Sequence, residues 1–187
     1  MTLEEMKTRV YQLIEEYSDE ADDLTEDEDF AAKINIVIDQ VQNQLTRFKK
    51  IPKYAELNVT EGQTMTLGSI DKEFYQLDLI RGVDYDIKND RIKFLEDGTA
   101  EVYYFKYPKK ITPDTENTYK FELTNDLLEI MPYGVAADLL KSDVSSQYGA
   151  VYEARYRELL NSLDPRYGTG SIELVGGIKI WVNQVEH

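Results

Sequence analysis

The sequence predicts an α+β protein: an antiparallel bundle of about four helices, with a small antiparallel β-sheet domain inserted into it and a β-hairpin at the C-terminal end. Three observations predict this. Apolar residues recur at helical spacing over residues 3–17 and 30–48. From Tyr54 to Leu123 the period falls to two, and from Asn125 to Leu163 helical spacing returns. A strand-rich block bracketed by helices reads as a domain inserted between the second helix and the third. The expected boundaries are therefore 1–53 with 124–165 for the helical part, 54–123 for the β part, and 166–187 for a tail.

In the first helix Leu3, Met6, Val10, Leu13, Ile14 and Tyr17 form the apolar stripe. The stretch that follows, residues 18–29, is dense in carboxylates. A calcium loop requires a fixed order of ligands around a central glycine, and no glycine occurs before Gly62, so a solvated turn is the better reading. Thr25 with Glu28 three residues later reads as a capping box opening the second helix. There Phe30, Ile34, Val37, Ile38, Val41, Leu45 and Phe48 make a stripe over five turns, and Pro52 marks its end.

The β part begins with Leu57, Val59, Met65 and Leu67 alternating with polar neighbours, and continues with Tyr75, Leu77 and Leu79. Val83, Tyr85 and Ile87 lead into Asn89-Asp90, and Ile92 and Phe94 lead out, which is a hairpin signal. Asp97-Gly98 turns the chain into an aromatic strand over residues 100–108. Val102 and Tyr104 fall on one face of it, and Tyr103, Phe105 and Tyr107 on the other. Rings on both faces read as core on one side and interface on the other. A base-stacking platform would come with a basic groove, for which Lys106, Lys109 and Lys110 are the only local cations. A last strand is expected at Tyr119, Phe121 and Leu123.

Residues 124–163 are the stretch around which the chain is organised. Leu127, Met131, Val135, Leu139 and Leu140 mark one amphipathic helix; Tyr148, Val151, Tyr152, Tyr156, Leu159, Leu160 and Leu163 mark a second. Ser142-Asp143 gives a tight connection, so the two helices must run antiparallel. Pro132 inside the first predicts a kink rather than a break. Gly134 and Gly149 permit close approach of backbones. In the tail, Ile172 and Leu174 precede Gly176-Gly177, and Ile178, Ile180 and Val182 follow, the pattern of a hairpin in need of a surface to pair with.

Composition narrows the function. The chain carries 36 acidic and 21 basic residues, for a net charge of −15. Twelve acidic residues against two basic ones lie in residues 1–30, whereas residues 31–53 hold Lys33, Arg47, Lys49, Lys50 and Lys53 against Asp39 alone. A chain this acidic should not grip DNA, although it can surround it. Cysteine is absent, which excludes disulfides and thiolate chemistry and fits a reducing cytoplasm. The N-terminus has neither the basic start nor the apolar run of a signal peptide, and no apolar run is long enough to span a membrane. The single histidine is His187, the last residue, and no phosphate-binding glycine motif or nucleophile elbow occurs. The expectation is no enzyme, no cofactor and no metal.

The order of parts carries a resemblance. A long amphipathic helix ends at FKKIPKY; a β insertion follows. YYFKYPKKITPDTENTYKFEL, with Pro108 and Ile111-Thr112-Pro113-Asp114, then leads into NDLLEIMPYGVAADLLKSD and a final helix. Over about residues 1–163 this resembles the phage head–tail connector (adaptor) family, in its larger type with a β-domain insertion. The resemblance implies a structural virion protein at the head–tail junction, present in the host cytoplasm during assembly. It implies a homo-oligomeric ring, commonly dodecameric, from subunits that are monomeric alone, and binding to the portal protein and to a tail or stopper protein. DNA would pass through the ring without sequence-specific binding. An acidic start and a basic finish on the second helix also suit head-to-tail contact between copies. The candidate assembly interface is accordingly Arg47, Lys49, Lys50, Ile172, Leu174, Ile178, Ile180 and Trp181. The rival reading is an acidic soluble binding protein, a DNA mimic or regulator of a host factor.

Overall fold

The computed structural model describes residues 1–15, 28–141, 146–163, 172–174 and 178–180. Among these residues it is an α+β fold with four α-helices: α1 (Leu3–Glu15), α2 (Glu28–Phe48), α3 (Asn125–Leu140) and α4 (Ser146–Ser162). Between α2 and α3 lie strands β1 (Ile51–Val59), β2 (Thr64–Thr66), β3 (Phe74–Arg81), β4 (Tyr85–Lys88), β5 (Arg91–Phe94) and β6 (Gly98–Lys106). They form two three-stranded antiparallel sheets, ordered β1-β6-β3 and β2-β5-β4. Near the C-terminus β7 (Ile172–Leu174) and β8 (Ile178–Ile180) pair antiparallel. The acidic stretch with its Thr25 capping box, Ser142-Asp143 and the Gly176-Gly177 turn lie outside the described residues.

Helix α1 opens on a capping box that the sequence reading missed. The Thr2 N–H donates to the Glu5 carboxylate at 2.8 Å, and the Glu5 N–H donates to Thr2 Oγ1 at 3.2 Å. Leu3, Met6, Val10 and Ile14 are then fully buried at helical spacing. In α2, Ile34, Ile38, Val41 and Leu45 are buried as expected, but Phe48 is 63% exposed. The chain leaves the helix there for β1, so the last position of the stripe overhangs the core.

Helix α3 is not amphipathic. Eleven of its residues are buried, from Leu127 to Leu140, because α1, α2 and α4 all pack on it. A helix apolar all round belongs in the middle of its domain. It runs unbroken through Pro132. Gly149 of α4 lies against the backbone of Ala137 and Lys141, while Tyr156, two turns later, lies against Gly134. Contacts that recede along α3 as α4 advances make the pair antiparallel. The Tyr152 hydroxyl donates to the Leu13 carbonyl and so ties α4 to α1. Val151, expected on the apolar stripe, is 53% exposed instead.

The β strands build a second core, in which Val59, Ile80, Ile92, Phe94, Ala100, Val102 and Tyr104 from both three-stranded sheets meet. β1 and β6 pair over their full length, from Ile51 opposite Lys106 to Val59 opposite Gly98. The expected alternation in β3 fails because register irregularities fall between Phe74 and Gln76 and between Leu77 and Leu79. Ile80 consequently turns inward and Leu79 outward. The β4–β5 hairpin turns at Asn89-Asp90 as expected, with Asn89 at φ 59°. Asparagine tolerates this left-handed backbone and a β-branched residue does not. Asn89→Val is therefore expected to lower stability by about 1–2 kcal/mol, and Asn89→Gly to leave it almost unchanged, in urea denaturation.

The strand expected at Tyr119–Leu123 is absent. Only Lys120 makes a bridge, to Thr2, and the Leu3 N–H donates to the Tyr119 carbonyl at 2.9 Å. Phe121 and Leu123 are buried, together with Ile111, in the core of the helices. Their period-two burial comes from lying along the start of the chain rather than along a sheet.

Candidate interaction surfaces

Two surfaces combine exposed apolar groups with charge. The first is a groove of about 610 Å³ between the end of α2 and the α3–α4 pair. Gln44, Arg47 and Phe48 form one bank; Gly134, Ala137, Asp138 and Lys141 form the floor; Glu153, Tyr156, Arg157 and Leu160 form the other bank. Gly134 lets the Tyr156 ring pack directly onto α3: a Cβ there would sit 2.8 Å from that ring. The Lys141 ammonium lies 3.1 Å from Asp138 and 3.3 Å from Glu153, and Glu153 also accepts from Arg157. These cations hold the Glu153 carboxyl below the usual range, Lys141 first, and Asp138 in turn raises the Lys141 ammonium. Arg47 makes no ion pair among the described residues. The Tyr156 hydroxyl is buried without a partner, and burial followed by the Asp138 charge pushes its pKa up to about 12.

The second surface is the face of the β1-β6-β3 sheet opposite the β core. Tyr103 on β6 pairs with Tyr54 on β1, their rings 5.1 Å apart, and the Tyr75 ring lies tilted against that of Tyr107 at 4.5 Å. The chain supplies its own cations to these rings. Arg81 lies 5.6 Å from the Tyr103 ring, and Lys50 lies 5.0 Å from that of Phe105. Glu56 and Glu101 face each other in register on the same side. That places two carboxylates where a nucleic-acid backbone would run, which opposes base stacking here. Lys106, one of the three cations that such a groove needed, is 3% exposed and belongs to the interior.

The predicted interface residues do not form one patch. Arg47 lines the groove. Lys49 is paired with Asp126 at 3.0 Å, and Lys50 donates to Gln76 at 2.7 Å while lying over Phe105. Both are thus engaged where α2 passes into the sheet. Ile172 pairs opposite Ile180, and Leu174 opposite Ile178; their side chains and Trp181 lie outside the described residues.

Sequence reasoning also missed a polar strip on α2. The Asn35 amide donates to the Thr112 and Pro113 carbonyls at 2.9 and 3.2 Å, and Gln42 donates to the Lys109 carbonyl at 3.0 Å. Asp39 accepts from the Ile111 N–H at 2.7 Å. Asn35 and Gln42 are at most 2% exposed. Together these side chains hold down residues 109–113, a segment whose backbone is not in any strand. The signal was available, since positions 35, 39, 42 and 46 recur at helical spacing, but the same spacing describes a solvated face.

No group of three or more metal-ligating side chains occurs among the described residues, and no helix among them is long and apolar enough to cross a membrane. No family model matches the chain, and no curated protein matches it.

Phe48 contributes little to the fold at its exposure, so Phe48→Ser is expected to change stability by less than about 0.5 kcal/mol in urea denaturation. A large loss would show that the groove is closed over it.

Proposed function

We propose that this chain is a subunit of a phage head–tail connector, an adaptor that forms a ring below the portal and extends the DNA conduit toward the tail. The observation that carries the reading is the order of parts: two helices, a β unit, a central buried helix and its antiparallel partner. The helices act as one bundle domain, residues 1–53 with 124–165. The inserted β domain projects from the junction at Lys49, Lys50 and Asp126, and the tail beyond residue 166 forms a hairpin that pairs with a neighbouring copy or another partner.

Physical features support this. The aromatic outer face of the β1-β6-β3 sheet and the groove beside Phe48 are apolar surfaces of the kind that meet other proteins. The excess of carboxylates disfavours tight binding of phosphate and lets duplex slide past. The subunit would be monomeric alone, ring-forming on the portal, and in contact with a tail or stopper protein at its other face, without catalytic chemistry of its own. Electron microscopy of the protein mixed with its cognate portal tests the reading. A ring stacked beneath the portal is expected; free monomers beside bare portals would overturn it. Truncation at Gly170 tests the role of the tail, with loss of assembly expected and unchanged assembly refuting it.

A further inference from the structure

The outer face of the β1-β6-β3 sheet gathers exposed rings in one place. Of the large apolar side chains exposed among the described residues, Tyr54, Leu79 and Tyr107 all belong to it. Tyr103 and Phe105 on β6 are half-buried, and Tyr107 follows just past the end of that strand, alternating with the buried Tyr104 and Lys106. The Tyr54–Tyr103 and Tyr75–Tyr107 pairs are tilted by 50° and 48°, so neither pair hides its ring faces in itself. A contiguous apolar patch of this kind marks a binding surface.

The charges around the rings define what the occupant must carry. Glu56 stands opposite Glu101, and Glu101 opposite Arg81, in one row across the three strands. Glu56 accepts from the Tyr54 hydroxyl and Glu101 from that of Tyr103, and neither carboxylate makes an ion pair among the described residues. Like charges directly opposite each other destabilise a sheet. With one guanidinium to two carboxylates, the row is one positive charge short. The rings differ: Arg81 lies over Tyr103, and Lys50 over Phe105 and Tyr75, so the chain already fills the cation–π positions there. The occupant therefore brings neutral apolar groups to the rings and a cation to the carboxylates. Free backbone N–H and C=O groups lie at the edges of a sheet and not on its face, so the occupant cannot depend on main-chain pairing.

We propose that this face takes a proline-rich segment of a partner protein, extended as a polyproline II helix and carrying a lysine or arginine beside its prolines. Such a helix has no internal hydrogen bonds, and aromatic-lined surfaces recognise it through its prolines. It rises about 3.1 Å per residue, so four steps cover about 12 Å. Tyr103 and Tyr107, four residues apart, are separated by about 13 Å along the strand direction. The prolines pack on the tyrosine rings, and the cation of the segment meets Glu56 and Glu101 and neutralises their row. Arg81 and Lys50 retain N–H donors for the outward carbonyls of the segment. A preformed polyproline II helix loses little conformational freedom on docking, which favours it over a flexible chain of the same charge. The site stands on the β strands alone and does not depend on the connector reading.

The isotope-labelled full chain is titrated with a synthetic proline octamer bounded by arginines, and its backbone amide shifts are followed by NMR. Saturable shifts confined to β1, β3 and β6 are expected. Glutamates in place of the arginines should weaken binding about tenfold, and Glu56→Gln with Glu101→Gln should remove that discrimination. Tyr54→Ala and Tyr107→Ala, both at exposed positions, should each weaken the arginine peptide about tenfold. Val151→Ser, an exposed apolar position on α4, should leave it unchanged. The amide spectrum of each variant without peptide reports that it is folded. A glycine–serine peptide bearing the same arginines measures charge alone, and equal affinity for it overturns the proposal. So does a lack of saturation at millimolar peptide, or shifts centred on another surface. Cellohexaose and single-stranded oligothymidine are titrated in the same way; tighter binding of either assigns the face to sugar or nucleotide and overturns the peptide assignment. Self-association through this face without peptide also overturns it, in favour of a second copy.

Discussion

Glu122→Ala should lower the stability of the protein by about 3 kcal/mol, because it strands a buried cation. Lys106 points into the junction between sheet and helices with only 4% of its side chain exposed, and its ammonium lies 2.7 Å from the Glu122 carboxylate. Glu122 also accepts from the Lys109 N–H at 3.2 Å, so one carboxylate closes the end of β6 and fixes the segment after it. Replacing both partners, Lys106→Met with Glu122→Leu, should cost much less than the single change, within about 1 kcal/mol, since the large term is the uncompensated charge and not the attraction. Urea denaturation of the single and double variants measures the difference. If the two cost the same, Lys106 finds water or another partner when Glu122 is gone.

The same pair sets a pH dependence. Burial alone raises the Glu122 carboxyl, but the Lys106 hydrogen bond, the Lys109 N–H and the charges of Lys106 and Lys53 outweigh it and hold the group below its ordinary value. A carboxyl depressed in the folded state stabilises the fold at pH above its unfolded value. That contribution is lost as pH falls from the unfolded value through the lower folded one. The stability of the parent should therefore drop more steeply than that of Glu122→Ala over this range. Parallel curves would place the acid sensitivity in other carboxylates, of which Asp126 and Asp71 are also held low.

Lys106 shows why the fold was only partly legible. The hairpin at Asn89-Asp90, the two long helices and the α3–α4 pairing depend on local signals, and these were readable as periodicity and turn residues. Lys106 is buried by strand parity: it shares a face with Ala100, Val102 and Tyr104, and parity counts for more there than residue type. A lysine in an apolar register announces nothing until its partner sixteen residues later is brought beside it. Phe121 and Leu123 were readable as a buried face but not as belonging to the helices, because their neighbours are at the other end of the chain. Of the candidate interface, Arg47 could be singled out as a cation at a helix end. Its separation from Lys49 and Lys50 could not, since it follows from where the chain turns out of α2 into β1. Asn35, Asp39 and Gln42 were hidden for a similar reason: a strip that grips a loop and a strip that meets water have the same spacing.

The second large effect concerns the closest approach of two helices. Gly149→Leu should destabilise the protein by about 3 kcal/mol, while Gly149→Ala should cost only about 1. A Cβ at Gly149 would lie 3.3 Å from the Ala137 carbonyl oxygen, 3.3 Å from the Lys141 nitrogen and 3.4 Å from the Leu140 carbonyl carbon. All three are backbone atoms of a helix fixed on three sides, so none can rotate aside. Alanine recovers about 1 kcal/mol of helix propensity relative to glycine, which offsets part of the overpacking; the longer leucine side chain has no room to be accommodated. Gly134 provides the internal control, because its obstacle is different. The atoms nearest a Cβ there all belong to the Tyr156 ring, at 2.8–3.1 Å, and that side chain borders the groove and can shift where a helix backbone cannot. Gly134→Ala is therefore expected to change stability by less than about 1 kcal/mol while releasing the Tyr156 hydroxyl from its buried position. A fall in the tyrosine titration midpoint from its raised value of about 12 reports that release. The two glycines share a helix pair and a residue type, and they differ in whether the neighbour is backbone or a movable ring. If Gly149→Leu proves no more costly than Gly134→Leu, the backbones of α3 and α4 do not approach as closely as these distances require.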